Sequence, residues 1–428
     1  MKRALTVILF VLIVLAQANP GRAAGFLIYE HGAAAMAMGG AFISLANDPS
    51  AIWHNPAGIA FLKGTHVSAG TTLIWSKASL DLANWPDPTK RKWNQISQTF
   101  YPSNVYITRS VGDKVTLGVG FFSPFGLGAK WPPENPLRYL GYEDDMKTFF
   151  LNPTVAFKLT DQFSIGVGVS YIYSTVKFKM IEHKEFGAYG GYDIPAGLDG
   201  TGHAWNFNAG LLYRGEKFNF GLNYRSRFDI TFNGDLDLDS SAVPAPLKPY
   251  VANSAKGNTI FKFPDILGVG VSFNVTPKFL LSADAHYVLW NRFDQYVLEF
   301  TEQDQGVPLE PITTLENFKD SWTLRAGLQY MVTPKFALRA GYLWDETPQP
   351  VETMDPLLPD ANRYAITAGI GYTFGKMTLD VTYHHEIFKD RMAPNRFIPA
   401  YQFGPINLGE GLYKTTADLL GISLSFVF

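Results

Sequence analysis

The chain has 428 residues, with 36 Lys and Arg against 38 Asp and Glu, a formal charge of −2 and no cysteine. Charges of both signs are scattered along it with no basic block, so no nucleic-acid partner is expected, and the missing thiols exclude a disulfide scaffold and any thiolate nucleophile or metal site. The chain is 46% hydrophobic and 15% aromatic, yet beyond the leading residues it contains no uninterrupted apolar run approaching the roughly 20 residues of a membrane helix.

In chain order, Lys2 and Arg3 precede the apolar run Ala4 to Ala16, and small residues follow at Gly21, Ala23 and Ala24. Residues 1–24 therefore read as a secretory signal peptide. Residues 25–64 do not alternate. They are rich in Gly, Ala and Met through Gly32 to Gly40, with breakers at Asn47-Asp48-Pro49-Ser50 and Asn55-Pro56-Ala57-Gly58, as in a compact plug of small residues between turns. Its apolar residues, among them Phe26, Leu27, Ile28, Phe42 and Trp53, argue against a disordered tail.

From residue 65 to 428 the period becomes two. Phe279, Leu281, Ala283, Ala285 and Tyr287 alternate with Ser282, Asp284 and His286, placing oil on one face of a strand and polarity on the other. Strands are expected near 65–77, 103–111, 115–123, 148–160, 163–179, 203–214, 218–233, 259–275, 279–299, 320–332, 336–346, 363–374, 377–389 and 416–428. Six tight turns separate them in pairs, at Gly112-Asp113-Lys114, Asp161-Gln162, Gly215-Glu216-Lys217, Thr276-Pro277-Lys278, Thr333-Pro334-Lys335 and Gly375-Lys376. Such turns force antiparallel pairing. They alternate with long polar connections near 127–147, 180–202, 234–258, 300–319 and 390–414, the pattern of outer-membrane barrels. The last strand carries Leu420, Ile422, Leu424, Phe426 and Phe428 on one face, as a closing strand in lipid requires. The expected fold is all-β: a transmembrane antiparallel β-barrel of about fourteen strands with an N-terminal plug in its lumen and both chain ends on one side, the periplasmic side in the outer membrane of a Gram-negative bacterium.

Over essentially the whole mature chain the sequence resembles the FadL family of outer-membrane long-chain fatty acid transporters, whose relatives take up aromatic hydrocarbons. The resemblance is most specific at Gly39-Gly40-Ala41-Phe42 and at Asp48-Pro49-Ser50-Ala51-Ile52-Trp53-His54-Asn55-Pro56-Ala57-Gly58. It implies that residues 25–64 form the family's hatch, with Phe26, Leu27, Ile28, Asp48, Asn55, Pro56 and Ala57 as its working residues. A second match is Ser123-Pro124-Phe125-Gly126. Proline offers no donor and glycine weakens a strand, so the residues alone leave a strand end and a kink equally open. The resemblance implies an inward kink of the third strand that leaves a side opening. It also implies a fatty acid headgroup contact near Lys177 and Lys179, and Arg325 is a further candidate from strand parity.

A lipid carrier needs apolar niches. Burying sixteen methylenes gains on the order of 12 kcal/mol at about 0.8 kcal/mol each, and micromolar affinity needs only about 8 kcal/mol. An outer patch of Trp131, Leu137, Tyr139, Leu140, Phe149 and Phe150 is expected to collect the molecule. Strand parity gives Arg214, Arg225, Arg227, Asp229, Asp284, His286, Arg325, Arg339, Asp380 and His384 as lumen residues, mostly paired with one another. The rival classes are an aromatic or aliphatic hydrocarbon channel, a polar-solute porin and a lipid-modifying enzyme. No Ser-containing nucleophile motif accompanies His286 or His384. His384-His385 is a poor metal pair, because adjacent strand residues point to opposite faces. The expectation is thus a monomeric, non-enzymatic transporter without cofactor or metal, in contact with outer-membrane lipid and lipopolysaccharide, taking long-chain fatty acids or other hydrophobic small molecules.

Overall fold

The computed structural model describes residues 25–82, 91–394, 397–398, 406–407 and 411–428. The expected signal peptide lies outside these residues, as does part of the 390–414 connection. Fourteen barrel strands follow one another. They are β1 (Thr65–Leu82), β2 (Ser103–Val111), β3 (Val115–Phe122 and Gly126–Lys130), β4 (Glu143–Lys158), β5 (Phe163–Glu185), β6 (Gly191–Arg214) and β7 (Phe218–Arg225 and Phe228–Leu238). Then come β8 (Ser254–Phe263 and Ile266–Thr276), β9 (Phe279–Val288 and Gln295–Gln303), β10 (Ile312–Leu315 and Ser321–Thr333), β11 (Phe336–Asp345), β12 (Arg363–Phe374), β13 (Met377–Phe388) and β14 (Gly411–Val427). Chain neighbours pair antiparallel, and β14 returns to β1 from His66↔Val427 to Leu82↔Gly411, closing the barrel. Closure leaves no unpaired edge in oil. The outward face carries exposed Leu117, Val119, Val167, Leu222, Ile366 and Ile370, a surface suited to lipid rather than water.

Several expected boundaries shift for physical reasons. The 180–202 connection is mostly strand: β5 and β6 stay in register up to Glu185↔Gly191, because Ile194 and Ala196 pack with Leu236, Leu238, Val243 and Leu247 in an apolar cluster of the outer lobe. Five strands, β3, β7, β8, β9 and β10, come in two pieces, and in β7, β8 and β9 the break falls inside the expected strand. In β7, Arg225 and Phe228 both face inward although three positions apart, because the two residues between the pieces switch the alternation. Arg227 and Asp229, expected in the lumen, are therefore exposed. In β8 the break falls at Pro264, which has no N–H to give. Asp265 then accepts from the Arg227 N–H at 3.0 Å and the Tyr224 hydroxyl at 2.7 Å. The switch brings Phe228 and Phe263 together inside the lumen, stacked at 4.4 Å.

Residues 25–64 fill the lumen. Their helices are α1 (Ala33–Ala37) and α2 (Ala51–His54), followed by a 3-10 turn (Pro56–Phe61). The five residues of α1 are all buried, and Ala, the best helix former, is also small enough to lie against the wall. The chain leaves α1 through Gly39 and Gly40, both at positive φ. At Gly40 a side chain is excluded twice, since its Cβ would also lie 2.6 Å from Arg325 Nη1. Barrel side chains bond the plug on many sides. Ser423 and Thr382 take Ala33, Thr367 takes Ala37 and Gly39, and Asp284 accepts from Phe42 and Ile43.

Candidate functional site

The first piece of β3 bonds β2 on one side and β4 on the other. Past the break, Gly126–Lys130 bonds β4 from Gly126↔Lys147 to Lys130↔Glu143. Its other edge is met at the outer end by Ile96, whose N donates to Lys130 O at 2.7 Å. Ser123 Oγ donates to Thr148 O at 2.5 Å and Thr148 Oγ1 to Phe125 O at 2.8 Å, fixing the bend on β4. The hatch supplies the missing strand: Ile28 N donates to Pro124 O at 2.8 Å and Gly126 N to Phe26 O at 3.1 Å, with Leu27 and Phe125 as bridge partners. The kink at Ser123, Pro124, Phe125 and Gly126 and the hatch residues Phe26, Leu27 and Ile28 thus form one hydrogen-bonded unit. Phe26 wedges among Phe125, Phe263, Trp290 and Phe293, with ring centroids 4.7 to 6.2 Å away.

A cavity of about 740 Å³ opens at this break. Its walls include Leu27, Ile28, Phe100, Leu357, Phe388 and Leu419, and its polar end holds Glu30, Asp360, Arg363 and Glu386. Phe121, Ser123 and Phe149 lie at the rim, and Phe100 leans across Gly128, where a Cβ would strike its ring. Toward the outer end the cavity shares Ala78, Ala129 and Leu357 with an apolar cluster that also contains Trp131, Leu137 and Tyr413. Tyr139 and Leu140 pack on that cluster. Trp131 anchors it by donating from Nε1 to Pro356 O at 2.6 Å.

Two members of the expected outer patch lie elsewhere. Phe149 points outward, stacked between Phe121 and Tyr173, and Phe150 is fully buried among Phe122, Phe125 and Phe228. Adjacent strand residues face opposite ways, so the pair never shared a surface. Lys177 and Lys179 are also corrected: both are exposed on the outer face of β5, where Lys177 pairs with Asp199 at 2.7 Å and Lys179 with Glu143 at 3.3 Å. Arg325 is apart from them. It is buried over the Tyr29 ring at 4.1 Å and donates to Gly39 O at 3.0 Å, which makes it a hatch anchor rather than a cavity residue.

Of the other lumen residues, Arg225, Asp284, His286, Asp380 and His384 are buried, Arg214 donates to Leu45 O of the hatch at 2.8 Å, and Arg339 meets Asp380 at 2.6 Å. The cation at the cavity's polar end is Arg363, half-buried, which the sequence reading missed. Its guanidinium holds Asp345 through two bonds of 3.0 and 2.9 Å and approaches Glu386 at 3.5 Å. The signal was the alternation Arg363, Ala365, Thr367, whose last two members face inward.

The Asn55-Pro56-Ala57 triplet works through backbone capping. Asn55 Oδ1 accepts from Ala57 N at 3.2 Å, and its amide donates to Ile43 O at 2.9 Å and to Leu211 O of β6 at 3.0 Å. The wall opposite is Gly210, where a Cβ would overlap Asn55 Oδ1. Asp48 closes the preceding turn by accepting from the Ser50 N–H at 2.7 Å and the Ser50 hydroxyl at 2.5 Å.

Comparison with known proteins bears on this arrangement. Residues 14–423 match the family described as outer membrane protein transport protein (OMPP1/FadL/TodX). The chain belongs to this family. The OMPP1/FadL/TodX members are outer-membrane transporters of hydrophobic compounds, and so is this protein. It is 24% identical over 377 residues to the long-chain fatty acid transport protein of Escherichia coli K12, covering 80% of this chain and 83% of that one. The crystal structure of a Pseudomonas aeruginosa FadL homologue superposes with a TM-score of 0.79 at 18% identity, over 95% of this chain and all of that one. The Ralstonia pickettii toluene transporter TbuX gives 0.68 at 16% identity, over 93% of this chain and 98% of that one. Both share the FadL/TodX fold.

Proposed function

We propose that the protein carries long-chain fatty acids passively across the outer membrane. Cargo collects at the Trp131 and Leu137 cluster, enters the cavity past Leu357 and leaves sideways through the break in β3, while the hatch blocks the way straight down. The observation that carries this reading is the cavity itself, which touches both the outer cluster and the break. Its size suits a chain. At about 740 Å³ it falls within the roughly 300–1,000 Å³ usual for small-molecule sites. Lateral release keeps the cargo out of water throughout, and both chain ends lie on the periplasmic side.

The polar end selects how a carboxyl group sits there. Glu30, Asp360 and Glu386 line it with the guanidinium of Arg363, which Asp345 also holds, so an ionised headgroup meets like charge. The acid binds there in its neutral form. The same acidic balance favours a second reading, uptake of uncharged hydrocarbons. Displacement of a fluorescent fatty acid from the purified protein by palmitate and by toluene separates the two. Palmitate displaces it at micromolar concentration under the first reading. Displacement by toluene alone overturns it.

A further inference from the structure

We propose that Glu30, His384 and Glu386 form a divalent-cation site that ties the hatch to the barrel wall. This goes beyond the transport reading and rests on it only for its consequence. Glu386 and His384 lie two apart on β13, so both project into the lumen, whereas His385 faces out and pairs with Asp418 at 2.8 Å. Glu30 comes from the hatch, between the Phe26–Ile28 segment that bonds β3 and helix α1. One donor atom from each of the three lies within 4.8 Å of the others. His384 is 1% exposed, faces Glu386 through Nε2 and leaves Nδ1 without a hydrogen-bond partner among the described residues. A buried imidazole is normally satisfied on both nitrogens.

The donor set is one nitrogen and two carboxylates, which suits a borderline metal such as zinc. His384 Nε2 is 3.2 Å from Glu386 Oε1. That separation is close to the ~3.3 Å between two donors on one tetrahedral zinc with bonds of about 2.0–2.1 Å. The remaining oxygens are held from outside. Glu386 Oε2 faces Arg363 at 3.5 Å, and Glu30 Oε2 accepts from Tyr29 N at 2.9 Å. Such partners orient ligands for a metal. Arg325 stands 4.0 Å from Glu30 Oε1 and competes for that oxygen, so metal binding draws Glu30 away from Arg325 toward β13. A divalent ion also brings two positive charges beside Glu30 and Glu386, which both line the cavity. The ion therefore offsets the like charge that an ionised carboxylate meets at the polar end, and it pins the segment that closes the lateral opening.

The test is zinc binding to the full-length protein in detergent, after treatment with chelator, by calorimetry and by metal analysis. Wild type binds one equivalent of zinc. His384→Ala and, separately, Glu30→Gln weaken binding at least about tenfold, while His385→Ala leaves it unchanged. Retained heat-modifiable mobility of the barrel on gels establishes that each variant is folded. Absence of a zinc equivalent in wild type, or binding that survives both substitutions in folded protein, overturns the proposal. Because the readout is metal binding, a negative result leaves the transport reading standing, and failure of fatty acid displacement leaves the metal site standing.

Discussion

Asn55 shows how much one side chain can fix. Its three hydrogen bonds join two hatch segments to β6, and it is fully buried. Asn55→Ala strands the Ile43 and Leu211 carbonyls, so a loss of about 1–3 kcal/mol is expected, read as a lower midpoint in thermal or denaturant unfolding. An unchanged midpoint would mean that water replaces the amide. This residue was legible as part of a breaker in an apolar stretch and through the family resemblance, whereas its capping bonds were not. Arg363 was not, because its partners Asp345 and Glu386 come from two other strands and only the assembled barrel brings them together. A second residue-scale prediction concerns that cluster. Glu386→Gln removes one negative charge from the polar end while Asp345 still holds Arg363. In the presence of chelator, affinity for ionised palmitate is then expected to rise on the order of tenfold, from about 1–2 kcal/mol of relieved repulsion in a medium of effective dielectric near 20. Toluene affinity stays as it was, and equal changes for both ligands would remove the charge argument.

At the level of elements, the bond between the leading hatch segment and β3 is the part that must separate if cargo leaves through the break. Leu27 and Phe125 are flanked by the bonds Ile28 N to Pro124 O and Gly126 N to Phe26 O. They are thus a non-hydrogen-bonded antiparallel pair, with Cα atoms about 4.5 Å apart, inside the range a disulfide spans. The chain has no other cysteine. Leu27→Cys with Phe125→Cys, once oxidised, is expected to cut uptake of labelled fatty acid at least tenfold, and a reductant is expected to restore it. Full uptake by the oxidised pair would show that release does not pass this seam. The fourteen strands themselves were readable from period two and the six tight turns. What pattern could not supply was where alternation switches. The breaks at Ser226 and Pro264 turn Phe228 and Phe263 inward and put Arg227 and Asp229 outside, and each switch depends on bonds between strands, such as those of Asp265 to Tyr224 and Arg227.

Across the whole molecule, the wiring of the hatch argues against its leaving the barrel as a unit. Bonds from Ser164 of β5, Asn208 of β6, Asp284 of β9, Thr367 of β12, Thr382 of β13 and Ser423 of β14 hold residues 33–57 from around the wall. The segment before α1 is held by the β3 seam, by Thr72, which donates to Glu30 O at 2.9 Å, by Asp360, which accepts from Gly25 N at 3.2 Å, and by the Tyr29 hydroxyl, 2.7 Å from His286 Nε2, but among the described residues 26–28 bond the wall through the β3 seam alone. Local opening draws on the least-bonded part of a structure, so residues 26–28 are expected to move while the rest stays as a stopper. Two measurements follow from that division. In hydrogen exchange, the amides of Ile28 and Gly126 exchange at least tenfold faster than those of Trp53 and Asn55. In planar bilayers, the intact protein shows no large steady conductance, and removal of residues 25–64 from a barrel that still folds produces one. A steady pore in the intact protein, or hatch amides that all exchange together, would mean that the whole plug swings aside and that the seam at β3 is not the gate.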